Sequence, residues 1–183
     1  MSIPHAAQSF IERMGLHFEN DGLPRIAGRI KAFLLLSEAP ASLEELADKL
    51  QVSKASTSTN CRLLERWGFV ERTSLPGDRR DYYRIAPDVF FRSLDVVRKQ
   101  MEEFNRILEE TSKELPPSYE VGRRRIDRMH AFHSFLVKEL EAINVRWAER
   151  ELEAADAADE DTRASVERAE AELEQAKKRG RGR

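Results

Sequence analysis

The stretch from Ser42 to Gly68, SLEELADKLQVSKASTSTNCRLLERWG, constrains this chain most, because it encodes two short amphipathic helices separated only by QVS. Ser42 and Glu45 have the spacing of a capping box, in which a hydroxyl serves a free amide at the helix start and a carboxylate reaches back. Leu43, Leu46, Ala47 and Leu50 then fall on one stripe. QVS makes a turn, and Ser53 is placed to cap the next helix. Two helices joined this tightly form a helix-turn-helix whose second member faces outward.

The second helix has two unlike sides. At about 100° per residue, Thr57, Cys61, Leu64 and Trp67 point inward, while Ala55, Ser58, Thr59 and Arg62 lie opposite. Ser and Thr are ordinary or poor helix formers, so propensity does not account for their number here. A small, flat, hydroxyl-bearing face suits a helix that sinks into the major groove of double-stranded DNA. Hydroxyls there reach phosphates or base edges, and Arg62 adds a charge contact or a bidentate pair to guanine. The expected contact set on this helix is Ser53, Lys54, Ala55, Ser56, Ser58, Thr59 and Arg62. Gly68 is expected to end the helix in the left-handed conformation.

Phe69 to Ser74 and Tyr82 to Ile85 alternate as two strands around LPGDRRD, with Pro76 and Gly77 starting the turn. A hairpin that follows a helix-turn-helix is a wing. Arg79 and Arg80, at or near its tip, are suited to an adjacent minor groove. The net charge of −2 hides this local character. Ser53 to Ala86 carries seven cations against four anions, whereas Glu149 to Gln175 is dominated by Glu and Asp. A polyanion meets the local field and not the sum.

On either side of this segment the periodicity is helical. Phe10, Ile11, Met14 and Phe18 recur between Gln8 and Glu19, until Asn20, Asp21 and Gly22 interrupt them. A second helix is expected from Pro24, as an early helical residue, to Ser37, with Ile26, Ile30, Phe33, Leu34 and Leu36 as its buried face. Pro87 opens a helix in which Phe90, Leu94, Val97, Met101, Phe104 and Leu108 form a heptad seam. After LPPSY, Ile126, Met129, His133, Leu136, Leu140, Ile143 and Trp147 form another. Such stripes require partner helices, and a homodimer supplies them. The expected dimer contacts are Phe10, Met14, Phe90, Leu94, Met101, Phe104, Met129, His133, Leu136, Leu140, Ile143 and Trp147.

Beyond Arg150 the large apolar residues Leu152, Val166 and Leu173 stand far apart, which predicts a frayed helix or a solvated tail. The fold class is therefore mainly α with a small β-hairpin wing. Residues 1–37 are expected to form supporting and dimerising helices, 38–86 a winged helix-turn-helix, 87–150 dimerising helices, and 151–183 a charged helical or disordered tail.

Other function classes find little support. Cys61, the single cysteine, permits no internal disulfide and no Cys-based metal site, as suits a reducing cytosol. The longest apolar run, AFLLL, falls far below the roughly 18 residues that cross a bilayer. MSIPHAAQSF lacks a basic region followed by an apolar core, so no secretory signal is expected and the location is read as cytoplasmic. No phosphate-cradling glycine loop, nucleophile elbow or zinc spacing marks an enzyme, and no cofactor is expected.

His130 and His133 share a helical face without a third ligand and are read as core or interface residues. Cys61 faces inward and is read as packing, although the adjacent arginine is of the kind that activates thiols. Phe10, Phe18, Phe90, Phe91, Tyr119, Phe132 and Phe135 stand at helical spacing and are read as core before effector pocket. GRRR at Gly122 to Arg125 reads as the solvated start of a helix, and KKRGRGR as an exposed tail.

Three motifs in order, GLPRIAGRI, SLEELADKLQVSKASTSTNCRLLERWGFVER and PGDRRDYYRI, resemble the winged-helix repressors of the MarR family across Gly22 to Ala86. The resemblance is nearest to the GbsR-like branch, whose members are regulators linked to osmoprotectants. It implies a homodimer on a pseudopalindromic operator, with Ser53 to Arg62 as recognition helix and Arg79 and Arg80 as wing residues; many members of the family release DNA when a small ligand binds. No effector-binding motif carries over. Thr57 and Cys61 depart from the larger aliphatic residues typical at those positions. The alternative class is a winged-helix module that binds protein and not DNA.

Overall fold

The computed structural model describes residues 3–154 and 160–181. The chain divides into two compact units, Met1–Arg92 and Ser93–Arg183. In the first, α1 (His5–Asn20) packs on α2 (Arg25–Leu35), and both share a core with α3 (Leu43–Leu50) and α4 (Lys54–Arg66). The α1–α2 crossing is close because of Gly28: a Cβ there would lie 2.4 Å from the Met14 carbonyl oxygen and 2.8 Å from the Phe18 ring. Ile11, Phe18, Ile30, Leu34, Leu46, Leu50, Leu64 and Val70 are buried in the core that results.

Two details of α2 differ from the sequence expectation. Pro24 is the N-cap, with φ −61° and ψ 126°, so the helix proper starts at Arg25. Its extended ψ keeps Pro24 out of the helix while its carbonyl accepts from Ala27 N–H at 2.9 Å. Leu36 was expected in the buried face but is exposed, because the helix stops at Leu35 and Leu36 turns away as the C-cap.

The wing is the edge of a three-stranded antiparallel sheet in the order β1-β3-β2, formed by Ala41–Ser42, Tyr82–Ile85 and Val70–Thr73. Val70 pairs with Ile85 and Thr73 with Tyr82, while Ser42 pairs with Tyr82 from the other side. β1 escapes sequence reading because two residues carry no alternation. It also places Ser42 to cap α3. The Ser42 hydroxyl accepts from Glu45 N–H at 3.2 Å, and the Glu45 carboxylate accepts from Ser42 N–H at 2.7 Å. The capping box therefore forms as expected.

Gly68 sits at φ +73°, where a side chain is strained, and a Cβ would meet the Arg92 backbone at 2.8 Å. That contact fixes the start of α5 (Val89–Glu114). Pro87 precedes this helix by two residues and does not open it, and Val89 N–H donates to Ala86 O at 3.0 Å. With Arg92 seated on Gly68, Phe91 is fully buried, whereas Phe90, the expected seam residue, is 53% exposed.

The second unit contains the rest of α5, a 3-10 turn at Pro117–Tyr119, α6 (Glu120–Ala154) and α7 (Glu160–Arg181). Asn105 Nδ2 donates to Ser134 Oγ at 3.1 Å and Ser112 Oγ to Asp127 Oδ1 at 2.5 Å, joining α5 to α6. Where fraying or solvation was expected, residues 160–181 are helical and pack on α6. The burial is achieved with small residues, Ala148, Ser165 and Ala169, so the missing stripe of large ones was no obstacle. Met1, Ser2, residues 155–159, and Gly182 and Arg183 of the basic end lie outside the described residues. Among the described residues, no helix is long and apolar enough to cross a membrane.

Candidate nucleic-acid interface

The hydroxyls of α4 divide between building the helix and covering its outer face. Ser53 caps it, its Oγ accepting from Ser56 N–H at 3.2 Å. Thr57 Oγ1 donates to Ser53 O at 3.1 Å, which satisfies a buried hydroxyl inside the core. The departure from an aliphatic residue at this position therefore leaves no orphaned polar group. Asn60, missed in the sequence reading, is also buried and donates to Ser56 O at 2.8 Å. Its place three residues after Thr57 was the available signal. Cys61 and Leu64 complete the inward side, with Trp67 half-buried at the C-cap. Burial, reinforced by Glu65, pushes the Cys61 thiol up to about 12, which leaves it protonated and inert.

On the other side Ser53, Lys54, Ala55, Thr59 and Arg62 are exposed, and Ser56 and Ser58 are half-buried. Lys54 pairs with Glu44 of α3, so its charge is shared. Thr59 Oγ1 donates to Ala55 O at 3.0 Å. As placed it can only accept, and a phosphate contact requires its single proton to swing outward.

In the wing, Asp78 N–H donates to Leu75 O at 3.1 Å, which puts Pro76 and Gly77 at the tip and the two arginines just past it. The arginines are not equivalent. Arg80 Nη2 donates to Asp78 Oδ2 at 2.6 Å and to Tyr82 Oη at 2.6 Å, its backbone N–H donates to Asp78 Oδ1 at 2.9 Å, and its guanidinium lies 5.3 Å from the Tyr82 ring centroid. Hydrogen bonds from Arg80 and Tyr82 hold the Asp78 carboxyl well below the usual carboxylate range, and Asp78 in turn raises Tyr82. Arg80 is thus a strut that stiffens the hairpin. Arg79 is exposed and has no ion pair among the described residues.

Arg72 pairs with Asp81 and Arg84 with Glu71. With Lys54 and Arg80 also paired, Arg62, Arg66 and Arg79 carry the unpaired positive charge of the segment among the described residues. A flat outer face with unpaired guanidiniums at its far end and on the adjoining wing is suited to a duplex polyanion.

The expected dimer contacts are distributed as follows. Phe10 is exposed on α1, and Met14 packs partly against the core of its own unit. Leu94, Met101, Leu136, Leu140 and Trp147 are half-buried, whereas Phe90, Phe104, Met129 and Ile143 are exposed. His133 Nδ1 lies 3.0 Å from Met129 O, and its ring meets Phe104 edge-on at 5.0 Å and Phe132 at 5.7 Å.

Comparison with known proteins gives two adjoining matches. A family profile described as MarR family matches residues 21–81, and one described as MmpR5-like MarR family transcriptional regulator matches 88–151. The chain is 45% identical over 82 residues to the HTH-type transcriptional regulator MmpR5 of Mycobacterium tuberculosis, covering 44% of this chain and 50% of that one. It is 26% identical over 88 residues to the HTH-type transcriptional repressor OpcR of Bacillus subtilis, covering 48% of each. These matches span about half the length of the curated relatives. A crystal structure described only as a transcriptional regulator aligns with TM-score 0.72 at 30% identity, covering 79% of this chain and 99% of that chain.

Proposed function

The chain belongs to the MarR family of transcriptional regulators, and from that premise we propose that it is a homodimeric repressor of a pseudopalindromic operator in double-stranded DNA. Helix α4 enters the major groove with Ser53, Lys54, Ala55, Ser56, Ser58, Thr59 and Arg62. Arg79 reaches the neighbouring minor groove, and Arg80 sets the wing that carries it. The observation that supports this best is the outer face of α4, small, flat and hydroxyl-bearing, with unpaired Arg62 on it and unpaired Arg79 on the wing. The exposed apolar residues of α5 and α6 support pairing with a second copy.

The finer readings are proposals of the same kind. A cytoplasmic location fits the lack of a membrane-crossing helix among the described residues. A small-molecule effector acts by binding one spacing of the paired lobes better than another. The GbsR-like placement rests on the motifs between Gly22 and Ala86, while the segment 88–151 matches the MmpR5-like description.

Fluorescence anisotropy with labelled duplexes at several salt concentrations tests the contact roles. Arg79→Ala should weaken binding about equally on all sequences and lower the salt slope by about 1. Arg62→Ala should cost about 1–3 kcal/mol on the preferred site and relax its sequence preference. Unchanged affinity and slope in both variants would remove α4 and the wing from the DNA interface and favour a protein-binding winged helix.

A further inference from the structure

The two sides of α6 are used differently. Asp127 and Ser134 accept hydrogen bonds from α5, and Asn144 and Ala148 are buried. At about 100° per residue these four lie on one side of the helix, while Arg128, Phe132, Phe135 and Glu139 fall within an arc of about 60° on the other. All four of that second stripe are exposed, the two rings at 57% and 56%. Neither Arg128 nor Glu139 has an ion pair among the described residues. From Arg128 the stripe steps four residues to Phe132, three to Phe135 and four to Glu139, a spacing that reads the same in both directions. A cation at one end and an anion at the other make it complementary to its own reversed copy.

We propose that α6 packs antiparallel on α6 of a second copy of this chain, about an axis between Phe132 and Phe135, with Phe132 against the partner's Phe135 and Arg128 against the partner's Glu139. The proposal rests on the homodimer reading and gives it an orientation and a register. Packed helices lie about 8–10 Å apart, within reach of an opposed arginine and glutamate. The rings supply the apolar contact, in the offset or edge-on geometry that aromatic pairs prefer, and the charges at both ends select the register. A parallel pair sets Arg128 on the partner's Arg128 and Glu139 on the partner's Glu139, and like charges so placed oppose association. Sliding the antiparallel pair by a heptad sets Phe135 against the partner's Glu139 or Phe132 against the partner's Arg128, which breaks the aromatic contact. Outside the stripe, Arg124 is held by Glu120 at 2.6 Å, Arg125 comes opposite the partner's Ala142, and Arg146 is exposed near the far end of the helix.

Sedimentation equilibrium of the full chain at low salt tests it. Arg128→Glu and Glu139→Arg should each weaken self-association at least about tenfold, because each sets like charges at both ends of the aromatic contact. An equimolar mixture of the two variants should associate within about threefold of the unaltered chain, since every charged contact between the two kinds of chain then joins opposite signs. The double variant should recover likewise. Both positions are exposed, and circular dichroism checks that each variant keeps its helices. A dimer that neither single variant weakens, a loss that neither the mixture nor the double variant restores, or rescue of Glu139→Arg by Arg125→Glu in place of Arg128→Glu would overturn the register and leave the homodimer standing. An unaltered chain that stays monomeric at every concentration would overturn both.

Discussion

Between Ala27 and Val70 the chain hides Ile30, Leu34, Leu46, Leu50 and Leu64 from water, yet from Tyr119 to Ile143 it exposes Tyr119, Val121, Met129, Phe132, Phe135 and Ile143. The first unit closes its interior with large aliphatic side chains, a capped α3 and a glycine that admits α5. The second buries Leu108 together with the small or polar Asn144, Ala148, Ser165 and Ala169, and leaves Phe104, Ile107, Met129, Phe132, Phe135 and Ile143 exposed. The same helical periodicity thus serves two ends. In the winged unit it specifies a core, and on α6 it leaves a ridge of exposed large apolar residues.

Substitutions on the two sides should therefore behave differently. Leu46→Ala opens a cavity in a fully buried site and should cost about 2–5 kcal/mol, read as a lower denaturant midpoint at an unchanged slope. A shift below about 1 kcal/mol would mean that the winged core is loosely packed. Phe132→Ala with Phe135→Ala should hardly move the midpoint of the dissociated chain but should weaken self-association by at least about tenfold, worth about 1.4 kcal/mol, in sedimentation equilibrium. The reverse pattern would make the ridge part of an internal core.

The smallest effect concerns the cap of α3. Ser42→Ala should cost about 1 kcal/mol. Hydrogen bonds from the Ser42 backbone and hydroxyl hold the Glu45 carboxyl below its usual value. A depressed carboxyl stabilises the fold above its unfolded value and loses that contribution as pH falls through the folded one. Stability should thus decline on the acid side of the ordinary carboxylate range, and Glu45→Gln should flatten that decline. Parallel pH profiles for the two proteins would remove the carboxylate from the cap.

What was readable in the sequence was local. The Ser42–Glu45 box, the QVS turn, the cap at Ser53 and the stop at Gly68 each depend on residues within one turn of one another, and all appear as expected. The Arg80 strut depends on Asp78 and Tyr82 sharing a side of the hairpin. Alternation by twos places Asp78, Arg80 and Tyr82 on that side, but the hydrogen bonds among them depend on side-chain geometry that the alternation does not specify. The burial of Phe91 in place of Phe90 is set by the contact between Gly68 and Arg92, which no heptad count contains. Helix α7 packs by smallness, and hydrophobic periodicity is blind to that.

Enrichment of bound sequences from a random duplex pool tests the central claim most directly, because it reads the winged unit and the proposed pairing of two copies together. The account predicts a two-fold symmetric site whose half-sites lie one helical turn, about 34–36 Å, apart or a multiple of it. A pool that shows no enrichment, or a single unsymmetric element bound by one copy of the chain, would contradict it.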